Sequence, residues 1–416
     1  MKALPIADVR VICTAPMGRN LVIAKVVTEE PTLYGLGCGT LTQRFHAVAA
    51  TLEHHVKPLL IGRDAFRTEE LWRLVHFNGY WRSGPVLNNA LSAVDMALWD
   101  LKAKAAGLPL YQLLGGKVRE ACAIYRHADG PTPQALADHV REHLDHGVRH
   151  VRLRLGGGAN ETYADPEAGG LAYGGVNDDP VPPPDGALPG AYYDPRSYVE
   201  STLDAFAHIR DVFGDAVELL HDVHGRLTLA EATHFAKRLE AFRPYFLEDP
   251  LSPEDFTAYP QLRAHTSVPI AASELFTGPE QWLPLVRDRL IDFVRMHVSD
   301  LGGLTPARKA ATVAEAFGVR TAWHGPGDCS PVGHAVNLHL NLASPNFGVQ
   351  ELQPFTDDTQ RVFPGCPELR GGYLYPNDRP GHGVDLNEEL AAEYPCKAEV
   401  PQWSQARRPD GSLHAP

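Results

Sequence analysis

Between Val9 and Val27 the apolar residues fall in short runs, Val9–Ile12 and Leu21–Val27, separated by a Pro/Gly turn at Pro16–Gly18. Runs of this length bounded by turn formers predict a β-hairpin or meander. The spacing then changes. Phe45–Leu60 carries one apolar face, with His54 and His55 on the outer side, and Leu91, Val94, Ala97, Leu98 and Leu101 recur at i, i+3, i+4 up to Ala106. Both segments read as helices. Strands followed by helices, with no alternation between them, predict a separate α+β domain over residues 1–120, ending just past Gly115-Gly116.

Beyond Ala121 short apolar runs return at regular intervals: 123–125, 150–155, 217–220, 245–247, 269–271, 293–295, 320–323 and 348–350, with helical patterns between most of them. Eight strands alternating with helices predict a (β/α)8-type barrel over 121–360. The tail, 361–416, is rich in Gly, Pro and charge. It cannot build a core alone and is expected to complete the N-terminal α+β capping domain. One stretch breaks the rhythm: 156–195 holds Gly156-Gly157-Gly158, Gly169-Gly170, Gly174-Gly175 and a proline run at 180–184. Leaving the C-terminal end of the second strand, it is expected to lie over the barrel mouth as a lid.

Three acids stand at the ends of three of these runs. Asp222, Glu248 and Glu274 are each 26 residues apart, about the length of a strand, a helix and two loops, so they occupy equivalent points of successive βα units. Acidic residues also end strands as turn formers and helix caps; the joint spacing is what points to a site. Carboxylates converging at the C-terminal mouth of a barrel supply hard oxygen ligands suited to Mg²⁺. Other polar residues fall at the same ends: Arg152 or Arg154, His224, Arg295 and His297, His324, and Glu351. Residues two apart on a strand share a face, so Asp222 and His224 are expected to point together into the mouth. With a metal on the acids, a substrate carboxylate could be held so that its α-proton is removed by a base and a leaving group expelled by an acid.

Composition narrows the picture. The chain has 416 residues, 44% of them apolar, enough for a barrel of about 250 residues and a second domain. A net charge of −13 argues against nucleic acid or an anionic membrane as partner. No run of about 18 apolar residues suggests a membrane span, and the first ten residues are too charged for a signal peptide. A cytoplasmic protein is expected. Six scattered cysteines form no C-x-x-C pair and imply reduced, packed thiols.

The Asp/Glu/Glu spacing resembles the enolase superfamily. More narrowly, Tyr80–Pro85, Val94–Asp100, Tyr111–Gly116, Tyr125–Ala128, Trp323–Pro326 and Asp328–Pro331 resemble its D-mannonate/D-gluconate dehydratase subgroup, often labelled starvation-sensing proteins. The resemblance covers nearly the whole chain. It implies a hydro-lyase that converts D-mannonate or D-gluconate to 2-keto-3-deoxy-D-gluconate, with Mg²⁺ on Asp222, Glu248 and Glu274. It makes Tyr163 with Arg152 the pair that takes the C2 proton, and His224 the acid that releases the C3 hydroxyl. His127, Arg295, His324, Glu351 and Trp81 would hold the acid sugar, in a homo-oligomer of four or eight chains. A tyrosine base needs a neighbour, since its pKa is ordinarily about 10 and an adjacent guanidinium favours the phenolate. Four positions depart from the subgroup: Thr42 and Asp129 each stand where Asn is common, Arg154 stands where Gln is common, and Pro326 is the residue of weakly active or gluconate-using members. Dehydration or epimerisation of another acid sugar, or a non-catalytic regulatory role, stays open at this point.

Overall fold

The structure, a computed structural model, describes residues 3–155, 185–186, 191–192, 194–327, 329–397 and 406–414. Most of the expected lid, Tyr163 included, lies outside the described residues, as does Asp328. The chain divides into two compact units. The first comprises Met1–Ala123, Glu274–Val286 and Val294–Val400; the second comprises Ile124–Ser273, Arg287–Phe293 and Pro401–Pro416.

The first strands are β1 (Ile6–Thr14), β2 (Leu21–Thr28) and β3 (Tyr34–Cys38), followed by β4 (Cys122–Gly130), β5 (His150–Leu155) and β6 (Ala191–Tyr192). Next come β7 (Glu218–Asp222), β8 (Phe246–Glu248), β9 (Ile270–Ala272), β10 (Phe293–Val294), β11 (Arg320–Thr321) and β12 (Gln350–Glu351). The last are β13 (Glu368–Arg370), β14 (Tyr373–Tyr375) and β15 (Ala406–Arg407). All eight runs expected to form strands after residue 121 do so; seven keep their bounds to within two residues, and β4 runs five residues further, to Gly130.

In the first unit, β1, β2 and β3 form an antiparallel meander, with Val9 opposite Val26 and Ile23 opposite Cys38. Helix Pro85–Ala106 packs on it through Leu91, Val94, Ala97, Leu98 and Leu101, all buried. The approach is close because β3 carries glycine where it meets the helix: a Cβ on Gly35 would stand 1.9 Å from the Ala97 carbonyl oxygen. Those glycines also hide β3 from the hydrophobic pattern. The helical run from Phe45 to Leu60 is present, widened to a π turn over Leu52–Val56 beside Pro58, which has no N–H for the preceding turn. His54 and His55 are exposed on it, as expected.

The tail residues of this unit bind its N-terminal strands. Thr14 Oγ1 donates to the Ala391 carbonyl at 2.8 Å, Ala15 N to the Tyr394 carbonyl at 2.8 Å, and Asn20 exchanges two hydrogen bonds with the Lys397 backbone. Buried His382 donates its backbone N–H to Asp100 at 3.0 Å and its Nε2–H to the Leu36 carbonyl at 3.0 Å. Strand β14 pairs with the start of β4, Leu374 opposite Cys122.

Asp95, fully buried on helix Pro85–Ala106, accepts from Thr305 N at 2.8 Å and Thr305 Oγ1 at 2.5 Å, capping helix Leu304–Ala316. Burial raises its pKa to about 7 against the pull of those bonds. An unfolded Asp ionises near pH 4, so between pH 4 and 7 the folded chain holds a proton that the unfolded chain has lost. Stability from this group is therefore full below pH 4 and declines as pH rises to 7, by on the order of 4 kcal/mol. The unfolding free energy of the unmodified protein minus that of Asp95→Asn is expected to fall across this window. A difference flat with pH would show Asp95 ionised throughout.

The second unit is built on parallel strands in the order β4, β5, β7, β8 and β9. Their near-continuous apolar runs, Leu219-Leu220, Phe246-Leu247 and Ile270-Ala271-Ala272, suit strands covered on both faces. Helices Pro133–Asp145, Pro195–Phe213 and Leu229–Leu239 follow β4, β6 and β7, each capped by an Asp or Thr side chain.

Candidate active site

Register decides which side chains meet in the second unit. His127 stands opposite Arg152 and Asp129 opposite Arg154. Arg152 is paired with Leu220, and Asp222 with Glu248. Two residues on from the Arg152–Leu220 pair lie Arg154 and Asp222, so Asp129, Arg154, Asp222 and Glu248 occupy one level across four adjacent strands. Asp222 and Glu248 end their strands and are 7% and 0% exposed.

Asp222 is held from three sides. Arg152 Nη1 lies 3.0 Å and His224 Nε2 2.5 Å from its Oδ2, and the His224 backbone N–H donates to Oδ1 at 2.8 Å. Burial opposes its charge, but Arg152 and then His224 outweigh it and hold the carboxyl far below the usual range. Arg152 Nη2 is also 3.3 Å from His224 Nε2. The meeting of Asp222 and His224 has a different cause from the one expected. His224 lies beyond the strand with φ of 56°, so the alternation of faces does not reach it; a left-handed turn brings the imidazole back over the carboxylate.

Left-handed residues recur at each acid. Asp249 (φ 34°) follows Glu248, and Ser273 (φ 97°) precedes Glu274, with Ser273 N donating to Asp249 Oδ1 at 2.8 Å. Strain of this kind at three strand ends marks positions that the surroundings hold in place. The strands are themselves tied from behind. His221 faces away from Asp222, donates Nδ1–H to the Leu153 carbonyl at 3.0 Å and accepts from the Tyr198 hydroxyl at 2.6 Å. Burial lowers its pKa to about 4, so it stays neutral and can accept. His143, likewise lowered to about 4 by burial, donates to the His127 carbonyl at 2.8 Å.

The first unit contains a second group. Arg295 and Glu351, both 1% exposed or less, form an ion pair, and Gly325 N donates to Glu351 Oε2 at 3.0 Å. His324 Nε2 lies 3.1 Å from Glu274 Oε1, and its Nδ1 lies 3.0 Å from His297 Nδ1. Burial works against a charge on His324, yet Glu274 and then Glu351 lift its pKa to about 9. His324 thus lies between Glu274 on one side and His297 on the other, its protonated form favoured by the two carboxylates. Parallel bonding of Ala322 to Val294 and of His324 to Met296 sets this arrangement. Trp81 differs from these residues: it is 86% exposed, its ring edge-on to Tyr80.

Residues 4–115 match the mandelate racemase/muconate lactonizing enzyme N-terminal domain, and residues 135–390 match the enolase C-terminal domain-like family. The D-galactonate dehydratase family member RspA of Pantoea ananatis is 48% identical over the whole of both chains, and the corresponding protein of Musicola paradisiaca is 47% identical over the same span. The chain belongs to the enolase superfamily. A crystal structure of an enolase from Pantoea ananatis with bound D-gluconate and Mg superposes with a TM-score of 0.95, 47% identity and coverage of 99% of this chain and 100% of that one. An enolase from Agrobacterium radiobacter with bound Na and L-malate is 26% identical, with a TM-score of 0.82 and 99% coverage of both. The fold is that of the superfamily, an N-terminal capping domain and a C-terminal (β/α)8 barrel.

The structure also joins residues that the sequence offered only singly. His297, named at a strand end two residues past Arg295, is joined to His324. Asp249 clamps Ser273, and the acid pair Glu248-Asp249 before Pro250 is the only mark of it. Asp129 and Arg154 form one buried ion pair, which two separate departures from the subgroup pattern do not reveal.

Proposed function

We propose that the protein is a Mg²⁺-dependent dehydratase of a six-carbon acid sugar, forming 2-keto-3-deoxy-D-gluconate from D-mannonate, D-gluconate or both. One observation carries the reading: the cluster of Arg152, Asp222 and His224, which sets a guanidinium and an imidazole on one buried, ionised carboxylate. Asp222, Glu248 and Glu274 would hold the ion. They are the hard oxygen donors Mg²⁺ selects, two of them register-opposite at strand ends and the third two residues past β9. When bound, Mg²⁺ supplies charge neutralisation at the substrate carboxylate, which makes the neighbouring carbon acidic.

In this reading Arg152 and Tyr163 take the C2 proton, and His224, oriented by Asp222, protonates the departing C3 hydroxyl. Arg295, fixed by Glu351, and His324 would hold the negative end of the substrate. His127 and Trp81 complete its binding. Family kinship with D-galactonate dehydratase members and with a D-gluconate-bound enolase supports the substrate class. Among the described residues no helix is long and apolar enough to cross a membrane; a cytoplasmic enzyme fits this reading. The exposed Phe77, Tyr80 and Trp81 fit a surface for self-association; the tetramer or octamer itself rests on the family resemblance alone.

A panel of acid sugars supplied with Mg²⁺ tests the reading through formation of a 2-keto-3-deoxy acid. Turnover of D-gluconate or D-mannonate is expected at below about 10 s⁻¹, and excess EDTA should stop it. Formation of no keto acid from any member of the panel, with Mg²⁺ bound, would overturn the assignment.

A further inference from the structure

Asp129 and Arg154 are not used by the chemistry above, yet they sit on the same level as Asp222 and Glu248 in the parallel sheet of the second unit. Their side chains are 5% and 9% exposed, and Arg154 Nε donates to Asp129 Oδ1. The Asp129 backbone is engaged separately, its N–H donating to His139 Nδ1 at 3.1 Å. The other carboxylate oxygen, Asp129 Oδ2, is buried and has no hydrogen-bond partner among the described residues. A buried acceptor without a donor is costly, and an ionised one more so. A bound group that donates a hydrogen bond would remove that cost.

We propose that the Asp129–Arg154 pair is a specificity subsite that accepts a hydroxyl from the far end of the acid sugar. The inference rests on the functional reading above. Three features choose the ligand group. Arg154 already balances the charge of Asp129, so a neutral donor fits and a second cation does not. The donor must be small enough to meet a side chain that is only 5% exposed. Adjacent strands lie about 4.8 Å apart, which puts β4 about 10 Å from β7. That is too far for the carbons beside a carboxylate held at Asp222, and within reach of the far hydroxyls of a six-carbon chain. A site built to bond a hydroxyl discriminates strongly against a substrate that lacks it, because its own polar group is then left unpaired.

The test compares the Mg²⁺-loaded protein with Asp129→Asn/Arg154→Gln, which removes both charges together and leaves no buried ion without its counter-ion. Binding of D-gluconate and of the four-carbon D-erythronate is measured by calorimetry, with thermal unfolding as the check on folding. The unmodified protein is expected to prefer the six-carbon acid, and the double variant to lose at least about tenfold of that preference. Should the double variant not fold, Asp129→Glu, which keeps the ion pair but displaces the accepting oxygen, is read in the same way. An unchanged ratio of the two affinities would overturn the subsite while leaving the functional reading standing. Failure of the unmodified protein to bind either acid would overturn the functional reading and the subsite with it.

Discussion

Glu248→Gln is expected to lose turnover by at least about 10³-fold, with the fold intact. The side chain is fully buried at the end of β8, directly opposite Asp222. Removing one anionic ligand weakens Mg²⁺ binding and the charge neutralisation it supplies, and about 4 kcal/mol of lost transition-state stabilisation corresponds to that factor. Stability should respond in the opposite sense. Like charges facing one another across neighbouring strands repel, so without metal the variant is expected to melt at the same temperature as the unmodified protein or above it. On addition of Mg²⁺ the unmodified protein should gain stability by binding linkage and the variant should not. Parallel melting curves with EDTA and with Mg²⁺, beside an activity assay, separate these effects. An active variant, or one that Mg²⁺ still stabilises fully, would remove Glu248 from the metal site.

His224→Asn carries the second large effect. Asn is chosen because residue 224 has φ of 56°, a conformation in which His and Asn are both enriched and Ala is not, so backbone strain unrelated to catalysis changes least. Loss of the acid should slow expulsion of the C3 hydroxyl by about 10² to 10⁴-fold. Removal of the C2 proton is assigned to Arg152 and Tyr163, so exchange of that proton with solvent deuterium, followed by NMR, should continue. Loss of exchange together with dehydration would show that His224 acts at C2. Undiminished dehydration would remove it from the reaction.

The strands and the metal-site acids were legible because both are one-dimensional signals. Apolar runs of three to six residues at regular intervals mark the buried parallel strands, and the 26-residue interval links Asp222, Glu248 and Glu274 without knowledge of the fold. Strand β3 was not legible, since Gly35 and Gly37 give up side chains to admit a helix and leave no pattern. Helix Thr68–Asn78 was missed because few of its residues, among them Leu71 and Val75, are buried. The left-handed turns at His224, Asp249 and Ser273 were invisible for another reason. Positive φ at a residue that is not glycine is imposed by the surroundings rather than by its own preference. The Asp129–Arg154 pair depended on the register between two strands, which neither strand specifies alone.

The bonds between the tail and the N-terminal meander bear on the order in which the chain can fold. Thr14 and Ala391 are 377 residues apart, and closing a loop of that length carries an entropic cost of about 5 kcal/mol beyond a fixed term. At roughly 5 to 20 residues per second of synthesis, the partner of Thr14 emerges about 20 to 75 s after Thr14 itself. The meander is made first and completed last. During that interval β1 offers a strand edge not yet covered by the segment around Glu388–Ala392, the kind of surface on which nascent chains pair wrongly or attract chaperones. The unit that begins the sequence is thus a late product of folding, and the parallel strands from Tyr125 to Ala272, whose partners follow within tens of residues, have the opportunity to form before it.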